Sequence, residues 1–158
     1  MKALVATMLI AGAIQAAPAL AQPPAVSPLV GSWAVDVSRL PMPPAARPKS
    51  VTIAFRGAGE GKWVTQVDIV DADGTKRHTA DTAALDGTAI KIKDSTEADT
   101  VAMKMPAPNV LVMGLGMGGM PASTRVYTVA ADGRTMIETA VNFDGVPVLR
   151  THYFTRIR

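Results

Sequence analysis

Polar and apolar residues alternate along most of the chain from Ser50 onward. The alternation runs through residues 51–56, 63–70, 90–93, 101–105, 125–128 and 135–143. A period of two, rich in valine, isoleucine and threonine, is typical of half-buried β-strands. Apart from the first 21 residues, no window has the 3.6-residue period of an amphipathic helix. The pattern therefore predicts an all-β domain.

Asp-Gly pairs separate these runs. They stand at residues 73–74, 86–87, 132–133 and 144–145, each between two alternating stretches. Asp-Gly supplies the positive φ that tight hairpin turns need, so we expect an antiparallel meander. A long meander must protect its edges, and closure into a barrel of about 8–10 strands does so. A two-sheet β-sandwich is the alternative architecture.

The N-terminal segment has the three parts of a secretory signal peptide. Lys2 supplies a positive start, residues 3–14 are apolar, and Ala19-Leu20-Ala21 is a small-residue cleavage site. The apolar run is shorter than the roughly 20 residues that a membrane-spanning helix requires. We therefore predict cleavage after Ala21, no membrane span in the mature chain, and no lipid anchor, because no cysteine adjoins the site.

Composition narrows the class of the mature protein. We expect a flexible leader over residues 22–29, rich in proline, and one domain over residues 30–158 with a proline-rich loop at 40–48. The chain contains no cysteine, which removes disulfides, thiolate metal sites and cysteine nucleophiles. An exported domain without disulfides suits a bacterial periplasm, or secretion from a bacterium, better than a eukaryotic secreted context.

Charge gives no sign of nucleic-acid binding. The 16 lysines and arginines only slightly exceed the 13 acidic residues. They are dispersed, without the clusters interleaved with aromatic residues that are typical of nucleic-acid interfaces. We expect neither a nucleic-acid partner nor a cofactor.

Several segments together resemble a known group. Gly31-x-Trp33 opens the first strand, and it is followed by Asp36, Ser38 and the stretch 48–52. The hairpin at 127–136 and the ending Tyr153-Phe154-Thr155-Arg156 complete the set. This combination resembles lipocalins and the wider calycin group, and in particular uncharacterised bacterial exported proteins that are similar to lipocalin-like barrels. The resemblance implies a lipocalin-like barrel over most of the mature chain.

The Gly31-x-Trp33 motif has a structural interpretation. Glycine allows close entry of the chain into the barrel base, and a tryptophan two residues later faces the same side and can plug it. In lipocalins an arginine near the end of the barrel packs across this ring. The resemblance gives that role to Arg156 or Arg158, as a cation–π contact.

The segment 110–121 is apolar, rich in glycine and unusually rich in methionine. Its first half predicts a strand and its second half a flexible loop. It could be a compliant apolar lip over a ligand cavity, a thioether site for Cu(I), or an ordinary strand with a mobile hairpin tip. On the first interpretation Met113, Leu115, Met117 and Met120 contact a ligand.

The last strand leaves two orientations open. Arg150, His152 and Arg156 share one face, while Leu149, Tyr153 and Ile157 share the other. A polar cavity would favour inward Arg150 and His152, which we include as candidate ligand-binding residues. A filled barrel would favour the opposite face, and a bulge could satisfy both.

No residues form a recognisable catalytic or metal site. His78 and His152 are the only histidines, and their spacing fits no zinc motif. No G-x-S-x-G elbow occurs, and nothing selects a pair of carboxylates.

We therefore expect a non-catalytic, lipocalin-like exported domain that binds a small apolar or amphipathic ligand. The alternative is an envelope module that engages another exported protein without a small-molecule ligand. An enzyme of unknown type is the third hypothesis, favoured only if Arg150 and His152 cluster with a buried carboxylate.

Overall fold

A computed structural model describes residues 26–143 and 146–157 of the chain. Over these residues the chain forms ten antiparallel strands. They are β1 (Gly31–Val35), β2 (Ser50–Gly57), β3 (Lys62–Val70), β4 (Lys76–Ala84), β5 (Ile90–Lys91), β6 (Thr100–Ala107), β7 (Val110–Met117), β8 (Met120–Val129), β9 (Thr135–Asn142) and β10 (Val148–Arg156). Two 3₁₀ turns, Val37–Arg39 and Pro44–Ala46, lie between β1 and β2.

The ten strands belong to one sheet that curls into a nearly closed barrel. Their order is β4-β3-β2-β1-β10-β9-β8-β7-β6-β5, so the first strand, β1, pairs with the last, β10. Strands β4 and β5, both within the described residues, are the two edges. At the seam between these edges β4 lies beside β6. An isolated β-bridge between Asp86 and Lys104 also spans the seam. The predicted antiparallel meander closed into a barrel is confirmed, and one continuous sheet replaces the alternative sandwich.

Asp-Gly pairs occupy turns wherever the structure describes them. Asp73-Gly74 joins β3 to β4, and Asp132-Gly133 joins β8 to β9, with positive φ at each glycine. Each aspartate accepts a backbone N–H two residues later, which is an Asx turn. Asp86-Gly87 has the same local geometry but carries the chain across the seam, so the hairpin predicted there is wrong. The pair at 144–145 lies outside the described residues.

Aromatic and aliphatic side chains fill one end of the barrel. Trp33 and Phe55 are fully buried, and Phe55 contacts Tyr127 edge-on with ring centroids 5.5 Å apart. Leu111 and Met136 complete this packing from the opposite wall. Burying such residues is the main source of stability in a domain of this size, so this end is the hydrophobic core.

The start of the described chain is tied to the closed end. Leu29 is fully buried, and the Ser27 hydroxyl donates to the carbonyl of Pro108 at the β6–β7 turn. Of the predicted leader, only residues 26–29 are described; Ser27 and Leu29 contact the barrel, whereas Val26 is exposed. The predicted signal peptide lies outside the described residues. No helix in the described part of the chain has the length and apolar character needed to cross a membrane.

The proline-rich segment 40–48 lies at the opposite, open end. Asp36 caps the first 3₁₀ turn by accepting from the backbone N–H of Ser38 at 3.1 Å. The Arg39 guanidinium carbon lies 3.3 Å from the ring centroid of Tyr153 on the outer face of β10. This contact fixes the segment beside the mouth of the barrel.

Candidate functional site

The closed end is sealed by three residues from the two ends of the chain. Gly31 enters β1 with φ 134°, a conformation that side chains other than glycine rarely adopt. The indole N–H of Trp33 donates to the carbonyl of Leu29 at 2.9 Å, and the guanidinium of Arg156 lies over the ring. Arg156 also donates to the carbonyls of Pro28, Val30 and Gly133. These contacts are structural, because they join the first and last strands and close the base of the barrel.

Above this plug the barrel is hollow. A cavity of about 640 Å³ extends from the core to the open end. Its walls combine apolar side chains of β2, β3, β6 and β7 with polar side chains of β4, β8, β9 and β10 and of the β5–β6 loop. Sites for small molecules in proteins usually have about 300–1,000 Å³ and an apolar lining with a few polar groups. The cavity has the size and lining of such a site.

The last strand turns its polar face inward. Phe154 is buried, and His152 and Arg150 line the cavity from the same face. Leu149 and Ile157 point outward and are largely exposed. Of the two orientations left open by the sequence, the structure therefore has the one with a polar interior, and β1 and β10 pair without a bulge.

A charged cluster lies on the polar wall. The side chain of Glu138 is 4% exposed, with Oε1 3.6 Å from Nε of Arg125 and Oε2 3.5 Å from Nδ1 of His152. On its outer side Arg125 donates to Glu97, which reaches in from the loop between β5 and β6. Arg125 is thus held between two carboxylates.

Two atoms of this cluster are buried without a hydrogen-bond partner among the described residues. They are Nε of Arg125, a donor, and Oε1 of Glu138, an acceptor. Their separation of 3.6 Å is too long for a direct hydrogen bond. Buried polar groups in native proteins are nearly always hydrogen-bonded, so this pair indicates a place for a bound molecule or water.

Burial fixes the charge state of the neighbouring phenol. Burial raises the pKa of Tyr127, and the negative charge of Glu138 acts in the same direction. The pKa of Arg125 is also raised: burial alone would lower it, but the surrounding acidic groups outweigh that effect. At neutral pH the wall therefore carries a neutral phenol and a permanently charged guanidinium.

The predicted ligand-binding residues divide into two groups. Met113, Leu115, Arg150 and His152 line the cavity. Met117 and Met120 are 41% and 69% exposed at the tip of the β7–β8 hairpin, outside the cavity lining. The predicted flexible loop is wrong, because the strands continue to a two-residue turn at Gly118-Gly119, where both glycines have positive φ.

Sequence reasoning missed the centre of the site. Arg125, Tyr127 and Glu138 were not singled out, although a signal existed. The turn at Asp132-Gly133 sets the register of β8 on β9, and in that register Tyr127 is opposite Glu138. Residues opposite each other in an antiparallel pair share a face, so an inward Tyr127 requires an inward Glu138.

The cluster does not assemble a catalytic triad. Ser123 is a buried hydroxyl in the cavity wall, but it pairs with Asn142, four residues along β9 from Glu138. That offset is about 13 Å at the usual rise of a strand, whereas a nucleophile and its base must be in hydrogen-bond contact. His78 lies away from the cluster, on β4, where its Nδ1 is 2.6 Å from Oδ1 of Asp68. In the described part of the chain no three acidic or histidine side chains are grouped to hold a metal ion.

Comparison with solved structures identifies barrels of the same kind. A fatty acid binding protein of Schistosoma mansoni, solved in complex with arachidonic acid, superposes with a TM-score of 0.58 at 17% identity, over 84% of this chain and 98% of that one. A variant of the fluorescent protein UnaG gives 0.59 at 16% identity, over 84% and 99%. Fatty-acid-binding protein 1 of Echinococcus granulosus gives 0.55 at 12% identity, over 83% and 98%.

These similarities are similarities of fold. At such low identity they support the expected lipocalin-like barrel only at the level of architecture. The chain matches no protein-family profile and no curated protein sequence.

Proposed function

We propose that this protein binds a small apolar or amphipathic molecule inside its barrel and does not transform it. The cavity of about 640 Å³ is the observation that carries the proposal. Its walls offer apolar surface on one side and the Arg125–Glu138 cluster on the other, as an amphipathic ligand requires. The structural neighbours support this ligand class, since one of them was solved with arachidonic acid.

The absence of catalysis is part of the proposal. The polar wall has a candidate base in His152 and a carboxylate in Glu138, 3.5 Å apart. Ser123 is too far along the sheet to act with them. Binding without reaction is therefore the function that this geometry supports best, and it also favours a ligand-binding protein over a module that only engages other proteins.

We also propose that the protein acts after export, in a bacterial periplasm or outside the cell. The support is the three-part signal pattern ending at Ala21 and the lack of cysteine. Fractionation of the native host with intact-mass analysis of the mature chain tests this directly. A mature chain that starts at Gln22 supports export, and a cytoplasmic chain that still begins at Met1 overturns it.

Binding is tested with the neutral apolar fluorophore N-phenyl-1-naphthylamine and delipidated protein. Ala140 is 3% exposed and lines the cavity, so Ala140→Leu fills part of the space. We expect one probe per chain and at least a tenfold loss of affinity in this variant. Thr139→Leu is the matched control, since residue 139 is exposed on the outer face of the same strand.

Two results would contradict the proposal. One is the absence of probe binding by the folded protein. The other is equal affinity in Ala140→Leu and Thr139→Leu, because the probe would then bind the surface. Native mass spectrometry of protein purified from its own host adds an independent test, since a co-purified small molecule should be released on denaturation.

A further inference from the structure

The charge of Arg125 is already compensated. Glu97 accepts from its Nη2 on the outer side, and Glu138 lies 3.6 Å from Nε on the inner side. A guanidinium that is free on one side can bind a carboxylate through two hydrogen bonds. Here both sides face carboxylates, so an anionic ligand would have to displace one of them.

The rest of the cavity is also unfavourable to an anion. Among the described lining residues, five carboxylates outnumber three arginines. One of these arginines, Arg77, is bound through two hydrogen bonds of 2.7 Å to Asp71. Asp81 and Asp94 add negative charge near the open end. The excess of carboxylates over arginines in the lining opposes the binding of a ligand carboxylate.

The two buried atoms without a hydrogen-bond partner indicate which ligand group fits the site better than an anion does. Nε of Arg125 can only donate and Oε1 of Glu138 can only accept. A hydroxyl oxygen that bridges them from one side, at hydrogen-bond distance from each, can accept from the first and donate to the second. A carboxylate has no proton for Glu138, and an ammonium has no lone pair for Arg125 and would lie beside its positive charge.

We propose that the ligand is an apolar molecule ending in a neutral group that both donates and accepts a hydrogen bond, with a hydroxyl as the simplest case. The polar end bridges Arg125 and Glu138 from the cavity side, and the apolar part lies against the β2, β3, β6 and β7 walls. The cavity therefore selects the alcohol over the carboxylic acid with the same chain. This inference rests on the proposed function and adds the class of ligand.

The test compares probes that differ only at one end. 1-Dodecanol, dodecanoate and dodecylammonium, each below its aggregation concentration, displace N-phenyl-1-naphthylamine from the delipidated chain at pH 7.5. We expect the alcohol to bind at least tenfold more tightly than either charged probe. Equal or tighter binding of the acid or the amine overturns the inference while the proposed function stands. If none of the three probes displaces the bound fluorophore, the inference is also overturned and the proposed function stands. If the fluorophore does not bind either, the inference and the proposed function are both overturned.

Charge-neutral variants connect the selectivity to the cluster. Glu138→Gln and Glu97→Gln each keep the shape of the side chain and remove one of the charges that oppose the acid. We expect the alcohol-to-acid affinity ratio to fall at least fivefold in each variant. Glu97 is 59% exposed, so its variant folds even if Glu138→Gln does not.

Glu60→Gln is the matched control, since residue 60 is 86% exposed in the β2–β3 turn at the closed end. Its affinity ratio should equal that of the parent. Unchanged ratios in both cluster variants, with folding verified by near-ultraviolet circular dichroism, overturn the inference.

Discussion

The guanidinium carbon of Arg156 lies 4.1 Å from the ring centroid of Trp33, and the two residues are also register partners in the β1–β10 pair that closes the barrel. The same guanidinium donates to three backbone carbonyls. One side chain therefore holds together the first strand, the last strand, the segment before β1 and the β8–β9 turn.

Removing this guanidinium should destabilise the whole barrel. Arg156→Met keeps much of the apolar stem but loses the cation–π contact and leaves three part-buried carbonyls without their guanidinium donor. We expect the free energy of unfolding to fall by about 2–4 kcal/mol. Urea denaturation measures the change. Arg134→Met, at an exposed position in the adjacent turn, should change it by less than about 0.5 kcal/mol, and an equal effect of the two variants would contradict the role of Arg156.

Two glycines of β7 should respond differently to alanine. A Cβ at Gly116 would lie 2.5 Å from Oγ1 of Thr100 and 3.3 Å from the carbonyl of Met120. Threonine is stiff at χ1, so the backbone must shift, at a cost of about 1–3 kcal/mol. A Cβ at Gly114 meets no atom within 4 Å, so Gly114→Ala should leave stability unchanged or slightly raised.

Thermal unfolding of the two glycine variants distinguishes these expectations. A melting temperature of Gly116→Ala at or above that of Gly114→Ala would show that the close approach of β6 and β7 at Thr100 is not tight in solution.

Asp81 should make stability depend on pH. Burial raises the pKa of this carboxyl, and the negative charge of Asp94 raises it further. The folded state therefore binds this proton more tightly than the unfolded state, and the charged form costs stability at neutral pH. The cost disappears as pH falls through the folded pKa towards the unfolded value of about 3.9.

The variant Asp81→Asn removes that cost. We expect its free energy of unfolding to exceed the parent's at pH 7, with the difference closing below about pH 4. Asp73→Asn is the opposite case, since hydrogen bonds from Thr75 lower the pKa of Asp73 in the exposed β3–β4 turn. That variant should lose stability at pH 7 and match the parent in acid. A stability gain from Asp81→Asn that persists at pH 3 would contradict the electrostatic explanation.

The contact between Arg39 and Tyr153 should control the exchange of ligand. The segment that Arg39 fixes contributes Leu40 and Met42 to the cavity lining. An exposed cation–π contact is worth about 0.5–1 kcal/mol, so Arg39→Ala should speed dissociation of N-phenyl-1-naphthylamine about two- to fivefold. Stopped-flow fluorescence measures the rate, with Arg134→Ala as the control. An unchanged rate would mean that the probe leaves by another route, such as the seam between β4 and β6.

Local pattern predicted most of the strands and two of the turns. Alternation gave the strands, and Asp-Gly turns at 73–74 and 132–133 joined neighbouring strands because φ and hydrogen bonding at a tight turn are local properties. The pairing of β1 with β10 joins the two ends of the chain and has no local signal, so only the need to protect the edges predicted it. At Asp86-Gly87 the same local turn geometry leads from β4 to β5, two strands that do not pair. The alternating pattern cannot distinguish this connection from a hairpin.

The site was harder to predict than the fold, because hydropathy does not show which face of a strand points into the barrel. In β9 and β10 the more apolar face is outward, with Ile137 at 43% and Leu149 at 69% exposure. The inward face contains Glu138 and His152, since a hollow barrel does not require an apolar lining throughout. Glu97 comes from a loop, and its contact with Arg125 depends on tertiary placement that no periodicity encodes.

Both described ends of the chain lie at the closed end of the barrel. Ser27 bonds to the β6–β7 turn there, Arg156 packs over Trp33, and the backbone N–H of Ile157 donates to the carbonyl of Ser32. The mouth faces the opposite direction. A reporter or surface linker joined directly at Val26 or at Ile157 would therefore stand clear of the entrance, and a chain immobilised through either residue would present its cavity to the solution.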